Sequence, residues 1–137
     1  MVIQIDTNVL LDVLQNRESF VYESGEVIRL CGERVIDGYM AAHSVSNIFF
    51  ILRKNYSIGQ RRLLLTGLLK TVRVAGVEHE SVVKALKREE FSDFEDCLQD
   101  ECAKEIGADY IITRNIKDFA CSEVPAITPE RFLEIME

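Results

Sequence analysis

The stretch MVIQIDTNVLLD, from Met1 to Asp12, decides the fold of this chain. It opens with a short run of β-branched apolar residues, Val2, Ile3 and Ile5. From Val9 an apolar pattern resumes. A strand with so little polarity is usually covered on both faces, as in a parallel sheet. The stretch therefore predicts a buried strand, a tight turn and a helix.

Asp6 stands at the turn between this predicted strand and helix, followed by Thr7 and Asn8. In an open α/β sheet, ligands bind outside the carboxyl ends of the strands, where the chain turns into a helix. A carboxylate there has two interpretations. It can cap the helix by accepting a backbone N–H bond, or it can contribute to a site at the sheet edge. This stretch alone supports both.

The remaining chain alternates apolar runs with stretches of helical spacing. The runs predict further strands near residues 39–42, 71–77, 110–113 and 126–127, with Asp37-Gly38 interpreted as a break before the first of them. This βαβ pattern predicts an α/β fold on a mainly parallel sheet of about five strands. No linker or repeat interrupts the 137 residues, so we expect a single domain over residues 1–137.

The net charge of −7 does not favour nucleic-acid binding, because phosphate contacts need lysine and arginine. The distribution of charge is uneven, however. Residues 40–76 contain no aspartate or glutamate, but they include Arg53, Lys54, Arg61 and Arg62. This basic segment fits either a solvated helix face or a substrate groove beside an acidic site.

No apolar stretch is long enough to span a membrane, and no basic region with an apolar core opens the chain. We therefore expect a cytoplasmic protein without a secretion signal or membrane anchor. The cysteines Cys31, Cys97, Cys102 and Cys121 form no C-x-x-C pair and match no zinc-ribbon spacing. Free thiols in a reducing compartment are the expected state.

A second acidic group lies far along the chain, in FSDFEDCL. Asp93 and Asp96 are three residues apart and would share one face of a helix. Carboxylates at a helix start also gain from the helix dipole, which would explain the pair without any functional role.

The fourth predicted strand delivers Thr113, Asn115 and Asp118 into a loop. If the first and fourth strands are neighbours, this loop converges with Asp6 and Asp96. Several oxygen ligands with room for water indicate Mg²⁺ or Mn²⁺ rather than zinc. A hard cation among carboxylates polarises a phosphoryl oxygen and activates water, which is the chemistry of phosphodiester hydrolysis.

Three stretches carry a family resemblance: IDTNVLLD at 5–12, FEDCLQ at 94–99 and YIITRNIKDF at 110–119. They resemble, in the right order, the signature stretches of PIN domains, a family that includes the VapC-type ribonuclease toxins. The resemblance implies a three-layer α/β/α sandwich. It also implies a Mg²⁺- or Mn²⁺-dependent ribonuclease that cuts single-stranded or looped RNA, and an antitoxin protein as a partner.

Asp6 matches the family's first metal-binding aspartate and Asp96 the aspartate that opens its acidic helix, with Asp93 as a further ligand or its neighbour. Asn115 falls where the family has Asp or Asn after its threonine, and Asp118 is the nearest carboxylate. Together with the basic segment, the candidates are Asp6, Asp93, Asp96, Asn115 and Asp118 for catalysis, Asp6, Asp93 and Asp96 for metal binding, Asn8, Asn47 and Thr113 for support, and Arg53, Lys54, Arg61 and Arg62 for RNA binding.

The sequence departs from the family pattern at one point. PIN nucleases usually carry a glutamate early in the helix after the second strand, and here AHSVSNIFFIL has Asn47 in its place. An amide oxygen can ligate a hard metal but brings no charge, which Asp93 could supply. His43, in the same stretch, fits either a general base or a capping, partly buried histidine.

The departure keeps other functions open. One is a PIN-fold module that binds RNA or a protein partner without cutting. Another is an aspartyl-phosphate enzyme with Asp6 as nucleophile, which is disfavoured because Asn8 stands where such enzymes have a second aspartate. The leucine-rich middle helices favour a homodimer in either case.

Overall fold

The computed structural model describes residues 1–137 and contains one five-stranded sheet. The strands are β1 (Val2–Ile5), β2 (Asp37–Ala41), β3 (Arg73–Ala75), β4 (Tyr110–Ile112) and β5 (Ala126–Ile127). The helices are α1 (Thr7–Leu14), α2 (Val21–Gly32), α3 (Ala42–Ile51), α4 (Ile58–Leu68), α5 (His79–Lys87), α6 (Phe94–Glu105) and α7 (Pro129–Met136). Short 3-10 helices cover Leu52–Lys54 and Ile116–Phe119. None of the helices is long and apolar enough to cross a membrane.

All strand pairs are parallel, and the strand order is β3-β2-β1-β4-β5. The predicted parallel sheet of five strands and the predicted adjacency of the first and fourth strands are confirmed. In the β1–β4 pair, Ile5 lies opposite Ile112. The two strands therefore end at the same edge of the sheet, and the residues that follow each of them are brought together.

The two faces of the sheet are covered by different helices. Ile3, Ile5 and Met40 join the larger core cluster, to which α1, α2, α3, α4 and α7 contribute buried side chains. Ile111 packs with Ala103 of α6 in a separate cluster on the opposite face, because successive strand side chains point to opposite sides. Helix α5 packs on α6. The result is the three-layer α/β/α arrangement that the resemblance implied.

Asp37 and Gly38 are part of β2, so their interpretation as a break is wrong. They pair with Val2 and Ile3 of β1. A β-carbon on Gly38 would lie 2.4 Å from the Sγ atom of Cys31 in α2. Glycine is therefore required here because α2 lies close to the strand, and no turn is involved.

Candidate active site

Asp6 directly follows β1 and occupies the junction of three elements. Its N–H donates to the carbonyl oxygen of Ile112 in β4, at 2.9 Å. Its Oδ1 atom accepts from the N–H of Thr7 and from Nε2 of Gln99, both at 2.7 Å. Its Oδ2 atom accepts from Oγ1 of Thr113, also at 2.7 Å. Asp6 therefore caps α1 and also lies at the sheet edge, so the two interpretations are compatible.

Asp6 differs from the other buried carboxylates in having no basic partner. Asp12, Asp100 and Glu101 are buried, and each forms an ion pair with an arginine. Asp6 is only 6% exposed, and all three of its donors are neutral groups. Buried charges in proteins are normally paired or coordinate a metal. The structure thus holds one uncompensated, oriented carboxylate where the sheet predicts a ligand site.

Asp93 and Asp96 have different surroundings at the start of α6. Asp93 is the exposed N-cap, and its Oδ1 atom accepts from the N–H groups of Glu95 and Asp96 at 2.8 and 3.2 Å. Asp96 is partly buried, and its pKa is raised to about 7, first by burial and then by the charges of Asp93, Asp6 and Asp118. Asp96 is therefore repelled by the other carboxylates at this end of the sheet, which favours its protonated form.

The loop after β4 supplies the other side of the site. Thr113 is fully buried, and its hydroxyl also accepts from the N–H of Asn115, at 3.0 Å. Asn115 and Asp118 are exposed. They line a surface cavity of about 530 Å³ together with Arg114, Ile116 and Lys117. Thr113 thus fixes both Asp6 and the start of the loop that carries the outer candidates.

Helix α3 borders the site because Oγ1 of Thr7 donates to Oγ of Ser44, at 2.9 Å. Asn47 lies one turn further along α3 and is partly buried. His43 is partly buried too, and burial lowers its pKa against the opposing charges of Glu95 and Asp6. It does not cap α3, whose N-cap is Ala41. The capping interpretation of His43 is therefore wrong, while its partial burial is confirmed.

The donor set fits a hydrated hard cation better than a closed metal site. No three histidine, cysteine, aspartate or glutamate side chains come together as a group that could hold a metal ion by themselves. Mg²⁺ is commonly bound through one or two carboxylates with water or phosphate oxygens completing its shell, and Asp6 and Asp96 could supply two.

Unpartnered polar atoms support the same fit. Four buried side-chain atoms have no hydrogen-bond partner, and all belong to residues on the elements that meet at Asp6: Gln4 Oε1, Asn8 Oδ1, His43 Nε2 and Gln99 Oε1. Buried polar atoms without a partner are rare in native proteins and call for water, an ion or a function. The three amide oxygens can each accept a bond from a water molecule, and the imidazole nitrogen can accept or donate one depending on its tautomer.

Two sets of buried ion pairs hold the elements around the site. Asp12 of α1 accepts from Arg114, whose Nε and Nη2 atoms lie 2.8 and 3.1 Å from its oxygens. On the other side of the sheet, Arg88 pairs with Asp100 and Glu101 of α6 at 2.8 and 2.7 Å. The first pair ties the loop after β4 to α1, and the second ties the segment before α6 to that helix.

The four predicted RNA-binding residues lie in the 3-10 helix after α3 and near the start of α4, and none has an acidic partner. Arg53 lies 3.6 Å above the ring of Phe50 and donates to its carbonyl oxygen at 2.8 Å. Arg61 donates to the carbonyl oxygen of Phe49 at 3.0 Å. Lys54 and Arg62 are exposed. Arg61 also lies 4.4 Å above the ring of Phe49. The positive charge of this surface has no acidic partner, and Lys54 and Arg62 are held by fewer contacts than Arg53 and Arg61.

Three residues of the site, Gln99, Gln4 and Ser44, were not predicted from the sequence. Gln4 was detectable, because it is the one polar residue inside an otherwise apolar strand. Gln99 lies three residues after Asp96, on the same helix face. Nothing in the sequence distinguishes Ser44 from neighbouring serines, since its contact with Thr7 depends on how α1 and α3 cross.

Comparison with known proteins gives a consistent result. The family description of the PIN domain matches residues 2–117. A curated relative, the ribonuclease VapC1 of Aquifex aeolicus, is 24% identical over 136 residues, which cover 95% of this chain and 92% of that protein.

Solved structures share the fold at lower identity. VapBC2 from Rickettsia felis, bound to a DNA fragment from its promoter, has a TM-score of 0.69 at 15% identity, covering 93% of this chain and 98% of that one. VapC20 of Mycobacterium tuberculosis, a toxin that cleaves the sarcin-ricin loop, has a TM-score of 0.62 at 15% identity, covering 80% and 86% of the two chains.

Proposed function

This chain belongs to the PIN-domain family, and on that premise we propose that it is a divalent-metal-dependent endoribonuclease of the toxin type, acting on single-stranded RNA as a single PIN-like domain. One observation carries the proposal. Asp6 is a buried carboxylate that is held only by neutral donors, at the sheet edge where a parallel α/β fold binds its ligands.

The residues around Asp6 would have different roles in a metal-dependent hydrolysis. A Mg²⁺ or Mn²⁺ ion supplies Lewis acidity toward a phosphoryl oxygen and a lower pKa for water. Asp6 and Asp96 would hold the ion, and Asp93 would add negative charge beside them. Thr113 orients the Asp6 carboxylate through its hydroxyl. Asn8 and Asn47 would contribute neutral oxygens, while Asn115 and Asp118 would orient ligands from the opposite side.

The basic surface would bind the RNA backbone. The chain from α3 into α4 carries, beyond Asn47, the residues Arg53, Lys54, Arg61 and Arg62. An RNA strand that leaves the site along α3 would therefore contact them next. Arg62→Ala should weaken RNA binding and reduce the slope of log affinity against log salt by about one unit. Arg131→Ala on α7, a surface arginine outside this segment, is the matched control.

The activity test uses purified protein, MnCl₂ and a labelled RNA of mixed sequence. Asp6→Asn should lower the cleavage rate by about a hundredfold or more, because losing one preorganised charged group typically costs about 2.7–4 kcal/mol. Glu130→Gln, an exposed acid on α7, should cleave like the wild type. Equal cleavage by wild type and Asp6→Asn would show that the activity comes from a contaminant and would refute the proposal.

The second candidate is an RNA- or partner-binding module with a weakened site, and Asn47 is the observation that favours it. In this case wild-type protein would bind RNA or a partner without cleaving any RNA. Asn47→Glu would then be the substitution that restores cleavage, because it returns the charge that the family normally has at this position.

The proposed partners are an antitoxin and a second copy of the chain. Related structures are toxin–antitoxin complexes. Phe50, Ile58 and Leu63 are 60%, 58% and 75% exposed on α3 and α4, which supports a homodimer through this apolar surface. Light scattering at micromolar concentration tests the dimer, and a small gene directly upstream would supply the antitoxin for a binding assay. We place the protein in the cytoplasm, together with its RNA substrates.

A further inference from the structure

Two buried glutamines connect β1 to α6 beneath the candidate site. Gln4 and Gln99 are both 0% exposed. Nε2 of Gln4 donates to the main-chain oxygen of Gln99 at 2.6 Å, and Nε2 of Gln99 donates to Oδ1 of Asp6 at 2.7 Å. We refer to this pair as the glutamine bracket. It links the central strand, the acidic helix and the buried carboxylate in one chain of hydrogen bonds.

Protein groups alone do not satisfy every polar atom of the glutamine bracket. The Oε1 atoms of both glutamines are buried without a hydrogen-bond partner. Unpaired buried acceptors destabilise a folded protein, whereas an apolar side chain of the same shape would avoid that cost. Local features that work against stability are expected where a function requires them.

The glutamine bracket affects how Asp6 lies relative to α6. Gln99 and Asp96 are three residues apart on α6, so they share a face and move together with the helix. Gln4 fixes the position of the α6 backbone against β1, and Gln99 fixes the Asp6 carboxylate against the same turn of α6. These two amides therefore connect Asp6 to α6, the helix that carries Asp96.

An amide is suited to this task because it carries no charge. A lysine or arginine at position 99 would also donate to Asp6, but it would neutralise the carboxylate and compete with an incoming cation. The Gln99 amide orients Asp6 and leaves its negative charge available.

We propose that Gln99, held by Gln4, is a positioning residue that fixes the separation of Asp6 and Asp96 and so selects a small divalent cation over a large one. The inference rests on the proposed function, since it assumes that these carboxylates hold the metal. Mg²⁺ binds oxygen ligands at about 2.0–2.1 Å and Ca²⁺ at about 2.3–2.6 Å. A rigid pair of carboxylates discriminates between them, and a loose pair does not.

The test measures metal affinity without relying on activity. EDTA-treated wild type, Gln99→Met and Gln4→Met are titrated with MnCl₂ and with CaCl₂ by isothermal calorimetry, and the melting temperature of each metal-free protein is recorded. Methionine keeps the length of glutamine and removes both the donor and the unpaired oxygen. Gln99→Met should bind Mn²⁺ about 10–100-fold more weakly, as expected when a partner of a metal ligand is lost, and its preference for Mn²⁺ over Ca²⁺ should shrink. Gln4→Met should change both quantities in the same direction by less.

Ser24→Ala is the matched control, because Oγ of Ser24 donates to another buried carboxylate, Asp12, at 3.1 Å, outside the site. It should lower the melting temperature and leave Mn²⁺ affinity and the Mn²⁺/Ca²⁺ ratio unchanged. Unaltered affinity and ratio in Gln99→Met would overturn the positioning role alone. Absence of Mn²⁺ binding by the wild type would overturn the metal-dependent proposal and this inference together. If Gln99→Met does not fold, an unaltered ratio in Gln4→Met is the result that refutes the inference.

Discussion

The two ion pairs of Asp12 allow a test of how much each contributes to stability, because this one buried carboxylate contacts two arginines at different distances. Asp12 is 0% exposed. Arg114 binds it with two nitrogens, at 2.8 and 3.1 Å, and also lies 3.9 Å above the ring of Phe20. Arg17 approaches the same carboxylate only to 3.4 Å, with a side chain that is 35% exposed. The two arginines should therefore differ greatly in what their removal costs.

Arg114→Met removes the main partner of a charge that water cannot reach. Breaking a buried ion pair in this way costs about 3–5 kcal/mol. The longer, more exposed contact of Arg17 corresponds to about 0–1 kcal/mol. For a domain of this size, the first change should lower the melting temperature by about 10–20 °C and the second by about 5 °C at most.

Urea denaturation followed by circular dichroism gives the free energies of unfolding of wild type, Arg114→Met and Arg17→Met. Adding Asp12→Asn to Arg114→Met should recover part of the loss, because the unpaired charge is then gone. Equal losses for the two arginine variants, or a larger loss for Arg17→Met, would refute the assignment of Arg114 as the main partner of Asp12.

Three further outcomes follow from other parts of the structure. The folded state raises the pKa of Asp96 from 3.8 to about 7, so between these pH values the metal-free folded protein holds a proton that the unfolded chain has released. The free energy of unfolding should therefore fall as pH rises from about 4 to 7. In urea denaturation at a series of pH values, Asp96→Asn should flatten this dependence. Burial raises the pKa of Cys31 to about 12 and of Cys102 to about 11, so Ellman's reagent should modify only the exposed Cys121 rapidly in the native protein, and fast release of more than one thiol per chain would contradict this. Gly38→Ala should cost about 1–3 kcal/mol by overpacking against Cys31, and combining it with Cys31→Ala should recover much of the loss in the same denaturation assay.

The sequence was most informative where local chemistry decides the structure. Ser57 caps α4 and Thr128 caps α7, since a hydroxyl before a helix needs only the adjacent N–H groups. The order of strands and helices also followed from the apolar runs. The predicted neighbours β1 and β4 are neighbours because parallel α/β sheets reverse their strand order in this way.

Prediction failed where the answer depends on distant contacts. Asp37-Gly38 resembles a turn, but it pairs with β1 as part of a strand, and the glycine is there because Cys31 of α2 lies close to it. Gln99 donates to a residue 93 positions earlier, and no local pattern marks such a contact. The uncompensated charge of Asp6 was equally hidden, because only the folded structure shows that Asp12 and Asp100 have arginine partners and Asp6 has none.

The central position of β1 in the sheet links the assembly of the site to the timing of protein synthesis. Asp6 is synthesised before Thr113, which completes its surroundings and lies 107 residues later. At a synthesis rate of about 5–20 residues per second, this interval lasts about 5–20 s. During that time the nascent chain lacks β4 and the loop that follows it, so the Oδ2 atom of Asp6 has no donor from Thr113. The site therefore stays incomplete until β4 and the loop after it have been synthesised.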